Sequence, residues 1–305
     1  MQVLLPVFNG ERYIAELVDS LGRQEHGPVS LLVRDDGSND GTLDVLNEAA
    51  AVWDLPVRLA KPGPRLGPFR SFLQLLAEAD PDVDLIAFAD QDDVWLPDKL
   101  ARAVQALEPL SSPACYGSAV QVTDAELRPL TRTAAPPGGP SFLHALVEAI
   151  APVSTMVLPQ ATRRLLVGRM PDAHVYPDLW FYQICSALGC FVYDPQPTLL
   201  YRQHDSNALG LATTTRGRWT GRLHRALADV PGLGTLHWGQ LTELERRYDD
   251  RLSPDQQRTL AALLATRTSW KRSAAYALCG PVVRRTRVDE LALRATLLLP
   301  PRAPR

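Results

Sequence analysis

The chain has 305 residues, enough to bury a substantial core in one large domain or in one domain with an appendage. Its 46% hydrophobic and 22% charged residues are ordinary for a soluble globular protein, and no stretch approaches the ~20 apolar residues that would span a bilayer. The net charge of −2 hides an asymmetry: residues 1–209 hold 15 Lys and Arg against 26 Asp and Glu, whereas residues 210–305 hold 17 against 8. An acidic body with a basic tail implies that the last third meets an anionic surface such as a membrane, or docks on the body itself. Aromatic residues are not interleaved with these basic residues, so nucleic acid is not an expected partner. The four cysteines, Cys115, Cys185, Cys190 and Cys279, form no Cys-x-x-Cys pair and read as reduced, mostly buried thiols. No basic n-region precedes an apolar run at the N-terminus, so the expected location is cytoplasmic.

Val3–Val7 is a short apolar strand, ended by the turn Phe8-Asn9-Gly10. Tyr13, Ile14, Leu17, Val18 and Leu21 then recur at helical spacing. A second strand, Val29–Val33, runs into Arg34-Asp35-Asp36-Gly37-Ser38-Asn39-Asp40-Gly41-Thr42, with Asp40 or Thr42 a plausible N-cap for the helix that follows. Val57–Leu59 is a third strand and Phe69–Ala79 a helix. Leu85–Ala89 is a fourth strand, and it stops at Asp90-Gln91-Asp92-Asp93 before Leu100, Ala103, Val104 and Leu107 mark another helix. Four strand–helix alternations predict a mostly parallel, doubly wound α/β sheet, whose ligands bind beyond the carboxyl ends of the strands. Three strand ends carry polar clusters, so one site could gather Asn9, Asp36 and the aspartates. Asp90, Asp92 and Asp93 repel one another unless a cation lies between them, and hard oxygen ligands suit Mg²⁺ or Mn²⁺ completed by a substrate's phosphates. An acidic surface turn is the plainer alternative.

Beyond Ala114–Gln121, another strand, Thr133–Pro140 has the composition of a mobile loop. Ser154–Leu158 reads as a strand and Arg163–Met170 as a short helix; a longer helix opens at Tyr176-Pro177-Asp178 and runs to about Ala187. Cys190–Tyr193 and Thr198–Arg202 are strands. From residue 211 the pattern becomes helical, at Leu241–Tyr248, Gln256–Ala265 and Leu291–Leu299, with basic clusters at Arg216, Arg218, Arg222 and Arg225 and at Arg284, Arg285 and Arg287. The expected organisation is a domain over 1–210 and a basic, mostly helical region over 211–305.

Five motifs occur in order: Pro6-Val7-Phe8-Asn9-Gly10, Asp35-Asp36-Gly37-Ser38-Asn39-Asp40-Gly41-Thr42, Leu66-Gly67, Asp90-Gln91-Asp92-Asp93-Val94-Trp95-Leu96-Pro97-Asp98-Lys99-Leu100, and Tyr201-Arg202-Gln203-His204-Asp205-Ser206-Asn207-Ala208-Leu209-Gly210. Together they resemble the family-2 glycosyltransferases of the GT-A fold, most closely the rhamnosyltransferase-like bacterial members. The resemblance implies an inverting, metal-dependent enzyme that moves a sugar, rhamnose among the candidates, from a UDP- or dTDP-sugar to a saccharide or lipid-linked acceptor in cell-surface polysaccharide synthesis. It implies that Pro6 and Phe8 line the base pocket, with Asn9 beside them, and that Asp36 accepts from the pyrimidine N3–H. Asp90 and Asp92 are then the DxD pair, Asp92 holding Mg²⁺ or Mn²⁺ with Asp90 as a further ligand and His204 completing the metal site or touching phosphate. The resemblance makes Asp178 the catalytic base; on the residues alone, Arg65 and Arg70 are candidate contacts for the diphosphate.

Two departures stand out: Tyr176-Pro177 replaces the usual residues before Asp178, and Ser71 stands where Asn is common. Asp178 has a plain alternative as the N-cap of its helix, His204 as a structural histidine, Arg65 and Arg70 as solvated charges, and Trp95 as core packing behind the aspartate loop. Asp36-x-Ser38-x-Asp40-Gly41 imitates the start of an EF-hand, but the twelfth position is Asn47, which disfavours calcium there. Competing classes are a non-catalytic nucleotide-sugar-binding scaffold, a nucleotidyltransferase, which would want a Gly-rich basic loop after the first strand, and a glycoside hydrolase, disfavoured by the nucleotide-type strand ends.

Overall fold

The computed structural model describes residues 1–110, 113–204 and 235–298. The basic cluster Arg216–Arg225, the second half of the fifth motif from Asp205, and the tail from Leu299 lie outside the described residues. The chain forms two compact units, each assembled from several segments: Met1–Ala134, Ala151–Met170 and Cys190–Leu211 in the first, and Ala135–Ile150, Pro171–Gly189 and Ala212–Arg305 in the second. Segments 135–150 and 171–189, on the early side of the boundary expected at residue 210, thus pack with the C-terminal helices.

The first unit is built on strand β1 (Gln2–Val7), every residue of which is buried. A run buried on both faces is what a central parallel strand requires. β1 pairs in parallel with β2 (Ser30–Asp35) on one side and β4 (Leu85–Phe88) on the other, and β2 pairs in parallel with β3 (Val57–Leu59). Helix α1 (Ile14–Gly22) covers this sheet with Ile14, Leu17, Val18 and Leu21, four of the five that the helical spacing marks; the fifth, Tyr13, is the N-cap. Each such fully buried aliphatic side chain contributes ~1.5–3 kcal/mol. Helices α2 (Thr42–Val52), α3 (Pro68–Glu78) and α4 (Lys99–Leu107) complete the alternation. The N-cap of α2 is Gly41, not Asp40 or Thr42; the Asp40 carboxylate instead accepts from the Thr42 N–H at 3.1 Å in a local turn.

The remaining sheet departs from the sequence expectation. The stretch read as one strand over 114–121 divides into β6 (Ala114–Ser118) and β7 (Gln121–Thr123), which join different sheets. Ser154 lies in a single 3₁₀ turn, Val153–Thr155, and the strand itself is β9 (Val157–Pro159). β9 lies antiparallel between β4 and β6, and β10 (Cys190–Asp194) closes the seven-stranded order β10-β6-β9-β4-β1-β2-β3. The architecture is therefore the expected mostly parallel α/β sheet, with one reversed strand. A second, four-stranded sheet, absent from the sequence reading, has the order β5-β11-β7-β8, formed by β5 (Val94–Trp95), β11 (Leu199–Arg202), β7 and β8 (Pro129–Arg132). Two-residue β5 is too short to show a period, and β8 has a largely exposed pattern.

The second unit is helical and begins with α5 (Phe142–Ala145), whereas α6 (Gln160–Val167) belongs to the first. Helix α7 (Pro177–Leu188) buries eight of its residues, and Gln183 in it bonds Gln240 of α8 (Thr235–Tyr248) at 3.0 Å. Trp180 meets Tyr248 edge to face at 5.9 Å between ring centres. Helix α9 (Pro254–Ala265) begins with a full capping box between Ser253 and Gln256, worth ~1 kcal/mol at its start. Helices α10 (Trp270–Cys279) and α11 (Arg287–Leu297) follow. Among the described residues no helix is long and apolar enough to cross a membrane.

Candidate active site

Because β1 lies between β2 and β4, all parallel, their carboxyl ends share one edge, and the strand order reverses at β1. This is the switch point at which open α/β sheets bind ligands. The three strand-end loops are interlocked there. Phe8 N–H donates to Gln91 Oε1 at 2.9 Å and Gln91 Nε2 returns to the Phe8 carbonyl at 3.0 Å, so the glutamine between the aspartates clamps the first loop. Asn9, at a φ of 47°, donates its N–H to Ser38 Oγ at 3.0 Å and accepts from the Asn39 N–H at 2.9 Å. Gly10 N–H reaches Thr42 Oγ1 at 2.7 Å. A Cβ at Gly10 would lie 2.5 Å from Gln91 Oε1, so a larger residue would displace the Gln91 amide from its clamp on Phe8.

Asp36 is buried. Its two oxygens accept the Leu66 and Gly67 N–H groups, each at 2.7 Å, and Arg34 Nη2 stands 3.6 Å away. Gly67 has a φ of 74°, the left-handed conformation that glycine adopts most freely. The Leu66-Gly67 motif is thereby explained as the partner of Asp36, and each carboxylate oxygen retains a lone pair for a ligand. Buried Arg34 donates to the carbonyls of Pro64 at 2.7 Å and Lys61 at 3.3 Å, fixing the loop that follows β3. Arg65 on that loop lies over the Phe8 ring, 3.7 Å from its centre, a cation–π contact at the proposed base pocket. Pro6 is buried in β1 opposite Arg34, and Arg70 is exposed on the first turn of α3. Ser71 is fully buried within α3, which places its departure from the family pattern in helix packing.

The aspartate loop is held from below by Arg202 and Lys99, motif residues to which the sequence assigns no role, and by Ser154, outside the motifs. β5 pairs antiparallel with β11, Leu199 opposite Trp95, and so brings the fifth motif beside the fourth. Arg202 then donates from its backbone to Asp93 Oδ1 at 3.2 Å, from Nε to the Asp92 carbonyl at 2.9 Å and from Nη2 to Glu16 at 2.7 Å. Two residues on, His204 Nε2 stands 2.8 Å from Asp92 Oδ2, with Tyr13 packed against its ring at 4.9 Å between centres. Asp93 does not face outward: it is 1% exposed and accepts from Ser154 Oγ at 3.0 Å. Burial, then the charges of Asp92 and Asp90, push its carboxyl well above the ordinary range. Lys99 is wholly buried nearby, its ammonium bonded to the Ser154 carbonyl at 2.8 Å and 4.2 Å from the centre of Trp95. Burial pulls this lysine down to about 7, against the pull of Asp93 and Asp90. Trp95, 2% exposed, is core packing behind the loop.

A carboxylate oxygen and an imidazole nitrogen at 2.8 Å, with Asp90 two residues before Asp92, form a donor set suited to Mg²⁺ or Mn²⁺ once phosphate oxygens and water complete it. Among the described residues no group of three or more Asp, Glu, His or Cys side chains is arranged to hold a metal by itself.

Asp178 belongs to the second unit. The N-cap of α7 is Tyr176 and Pro177 is the first helical residue, so Asp178 sits one position inside the helix and is not its cap. Its Oδ1 accepts from the Leu179 N–H at 2.8 Å. Burial raises its carboxyl to about 6 in spite of that bond.

The GT-A fold is the class that this sheet and its strand order define. Residues 2–139 match the model of glycosyl transferase family 2. Over 224 residues it is 25% identical to the dTDP-rhamnosyl transferase RfbG of Shigella flexneri, covering 70% of this chain and 76% of that one. It is 33% identical over 110 residues to the putative glycosyltransferase EpsE of Bacillus subtilis, spanning 35% of this chain and 38% of that relative. Its fold is similar to that of S. aureus TarS 1–349 solved with UDP-GlcNAc, with a TM-score of 0.55 at 15% identity over 97% of this chain and 90% of that one. It is similar also to the mannosyltransferase PcManGT of Pyrobaculum calidifontis solved with GDP-Man and Mn²⁺, with a TM-score of 0.53 at 19% identity over 92% and 76%.

Proposed function

We propose that the protein transfers a sugar from a nucleotide diphosphate donor, a UDP- or dTDP-sugar with dTDP-rhamnose the first to try, to a hydroxyl of a saccharide or lipid-linked acceptor, with inversion, in the building of a cell-surface polysaccharide. The observation that carries this reading is the interlocking of the β1, β2 and β4 ends beside the Asp92–His204 pair. Phe8 and buried Asp36 offer a flat apolar face and a fixed acceptor, which suit a pyrimidine's ring and its N3–H. Asp92 and His204, with Asp90, would hold Mg²⁺ or Mn²⁺, which when bound supplies positive charge against the departing diphosphate. Gln91 and Arg202 fix the backbone on either side of Asp92, so these ligands are set before substrate arrives. Arg70 is a diphosphate contact in this reading. Asp178 takes the acceptor's proton during attack; a carboxyl at about 6 is both a stronger base than a free aspartate and ionised at neutral pH.

The test is a panel of nucleotide sugars with Mn²⁺, read by thermal shift and by release of nucleoside diphosphate. A donor that raises the melting temperature only with metal and is consumed when acceptor is added supports the reading. If no nucleotide sugar shifts the protein with metal present, the reading fails. Stabilisation without turnover over a wide range of acceptors would indicate a nucleotide-sugar-binding protein instead.

A further inference from the structure

The basic cluster Arg284, Arg285 and Arg287 is the sequence's obvious contact for an anionic surface, but two of its three members are engaged within the second unit. Arg284 Nε lies 3.3 Å from Glu148 Oε2, which also accepts from the Arg285 N–H at 3.0 Å. The Arg285 guanidinium donates to the Ile150 carbonyl at 3.0 Å. Burial would raise the Glu148 carboxyl, yet the His144 bond and the arginines outweigh it and hold it down at about 2. These arginines are structural.

A different face is unpartnered among the described residues. Of nine large apolar side chains that are markedly exposed there, five fall within residues 270–298: Trp270, Leu278, Val288, Leu291 and Leu298. Helix α11 has two apolar stripes. Leu293 and Leu297 are buried on one side, whereas Val288, Leu291, Ala295 and Leu298, three or four residues apart in turn, are exposed. Trp270 of α10 extends this exposed stripe, for its Nε1 donates to the Leu298 carbonyl at 3.0 Å. The two helices run antiparallel, fastened by Ser273 Oγ to the Leu297 carbonyl at 2.6 Å and by Arg294 Nη1 to the Ala277 carbonyl at 2.9 Å. The stripe is basic at both ends: exposed Arg287 precedes Val288, and exposed Lys271 and Arg272 follow Trp270. Over 266–298 the chain holds seven Lys and Arg against two Asp and Glu, and both of the acidic residues are half-buried, Asp289 bonding the Thr286 cap and Glu290 bonding Arg294.

We propose that the paired helices α10 and α11 form a docking surface for an anionic phospholipid bilayer. Leu291, Val288, Leu298 and Trp270 enter the headgroup boundary while Arg287, Lys271 and Arg272 stay level with the lipid phosphates. An apolar centre with basic ends is the arrangement that lies in a membrane interface, with tryptophan at the headgroup level. Each basic residue near such a surface contributes ~1 kcal/mol. A protein partner or a second copy would call for acidic groups opposite these charges, and the exposed stripe of this chain offers none to its own twin. The surface stands whichever sugar is transferred.

The experiment uses the full chain with vesicles of phosphatidylglycerol and phosphatidylcholine mixed, or of phosphatidylcholine alone, at ~0.1 M salt. The protein is expected to sediment with the anionic vesicles and remain in solution with the neutral ones, and binding falls as salt rises. Val288→Asp with Leu291→Asp alters only exposed positions, so its melting temperature is expected to hold while the bound fraction drops at least tenfold. Lys271→Glu with Arg272→Glu gives a similar loss and a shallower salt dependence, and Trp270→Phe removes a blue shift in emission on vesicle addition. Wild-type protein that stays in solution with anionic vesicles overturns the proposal. So does equal binding by the Val288/Leu291 variant while folded, or a wild-type dimer that this variant converts to monomer, which would make the stripe a contact between copies.

Discussion

Asp93 in the first unit and Glu148 in the second are both carboxylates drawn out of water, and the protein moves them in opposite directions. Asp93 is burdened by burial and by two neighbouring aspartates, and its carboxyl rises; Ser154 and the Arg202 N–H only soften this. Glu148 suffers burial as well, but His144, Arg284 and Arg285 surround it and its carboxyl falls to about 2. The difference lies in company, not in depth. A carboxylate among opposite charges holds a fold together, whereas one among like charges is a local conflict, and such conflicts collect where a site must stay ready for a cation or an anionic ligand.

The largest effect should come from a third carboxyl that sharpens this contrast. Asp178 rises to about 6 through burial, with no like charge among the causes. Asp178→Asn is expected to lower kcat by ~10²–10⁴-fold while leaving donor affinity unchanged in calorimetric titration. The wild-type rate should climb through pH about 6 as the carboxyl ionises. A variant that loses donor binding instead would make Asp178 structural.

Glu148→Gln comes next, on stability. The folded value of about 2 lies below the ordinary 4.5, so the stabilisation is complete above 4.5 and disappears as pH falls through about 2. Urea unfolding at pH 7 should show a loss of about 3 kcal/mol, shrinking in acid. A constant deficit across that range would show that shape, not charge, is what the site needs.

Asp93→Asn should cost least, at most about 1 kcal/mol in the same measurement at pH 7. The amide oxygen can still accept from Ser154 or the Arg202 N–H, and the repulsion by Asp90 and Asp92 is removed. A larger loss than that of Glu148→Gln would break the comparison and mean that buried Lys99 relies on an ionised Asp93.

The chain's local patterns were sufficient for its local structure. The apolar run at Val3–Val7 and the three-and-four spacing of Ile14, Leu17, Val18 and Leu21 state a central strand and the helix that covers it, because burial on two faces or one leaves a period in the sequence. The strand-end residues Phe8, Asp36, Asp90 and Asp92 were legible for a related reason: parallel strands alternating with helices place their carboxyl ends on one edge. Other features have no local signature. Two-residue β5 exists only because β11 supplies its hydrogen bonds, and β9, legible as a strand, takes its reversed direction only from its pairing with β4 and β6. Lys99 looks like an ordinary helix-start lysine until Ser154 and Trp95 close over it. Arg284 and Arg285 read as free charge until Glu148, some 136 residues earlier, accepts them. Periodicity records which face of an element is buried, but it carries nothing about which remote side chain meets it there. That choice, which separates structural arginines from an exposed apolar stripe and Asp92, bonded to His204, from buried Asp93, belongs to the tertiary structure.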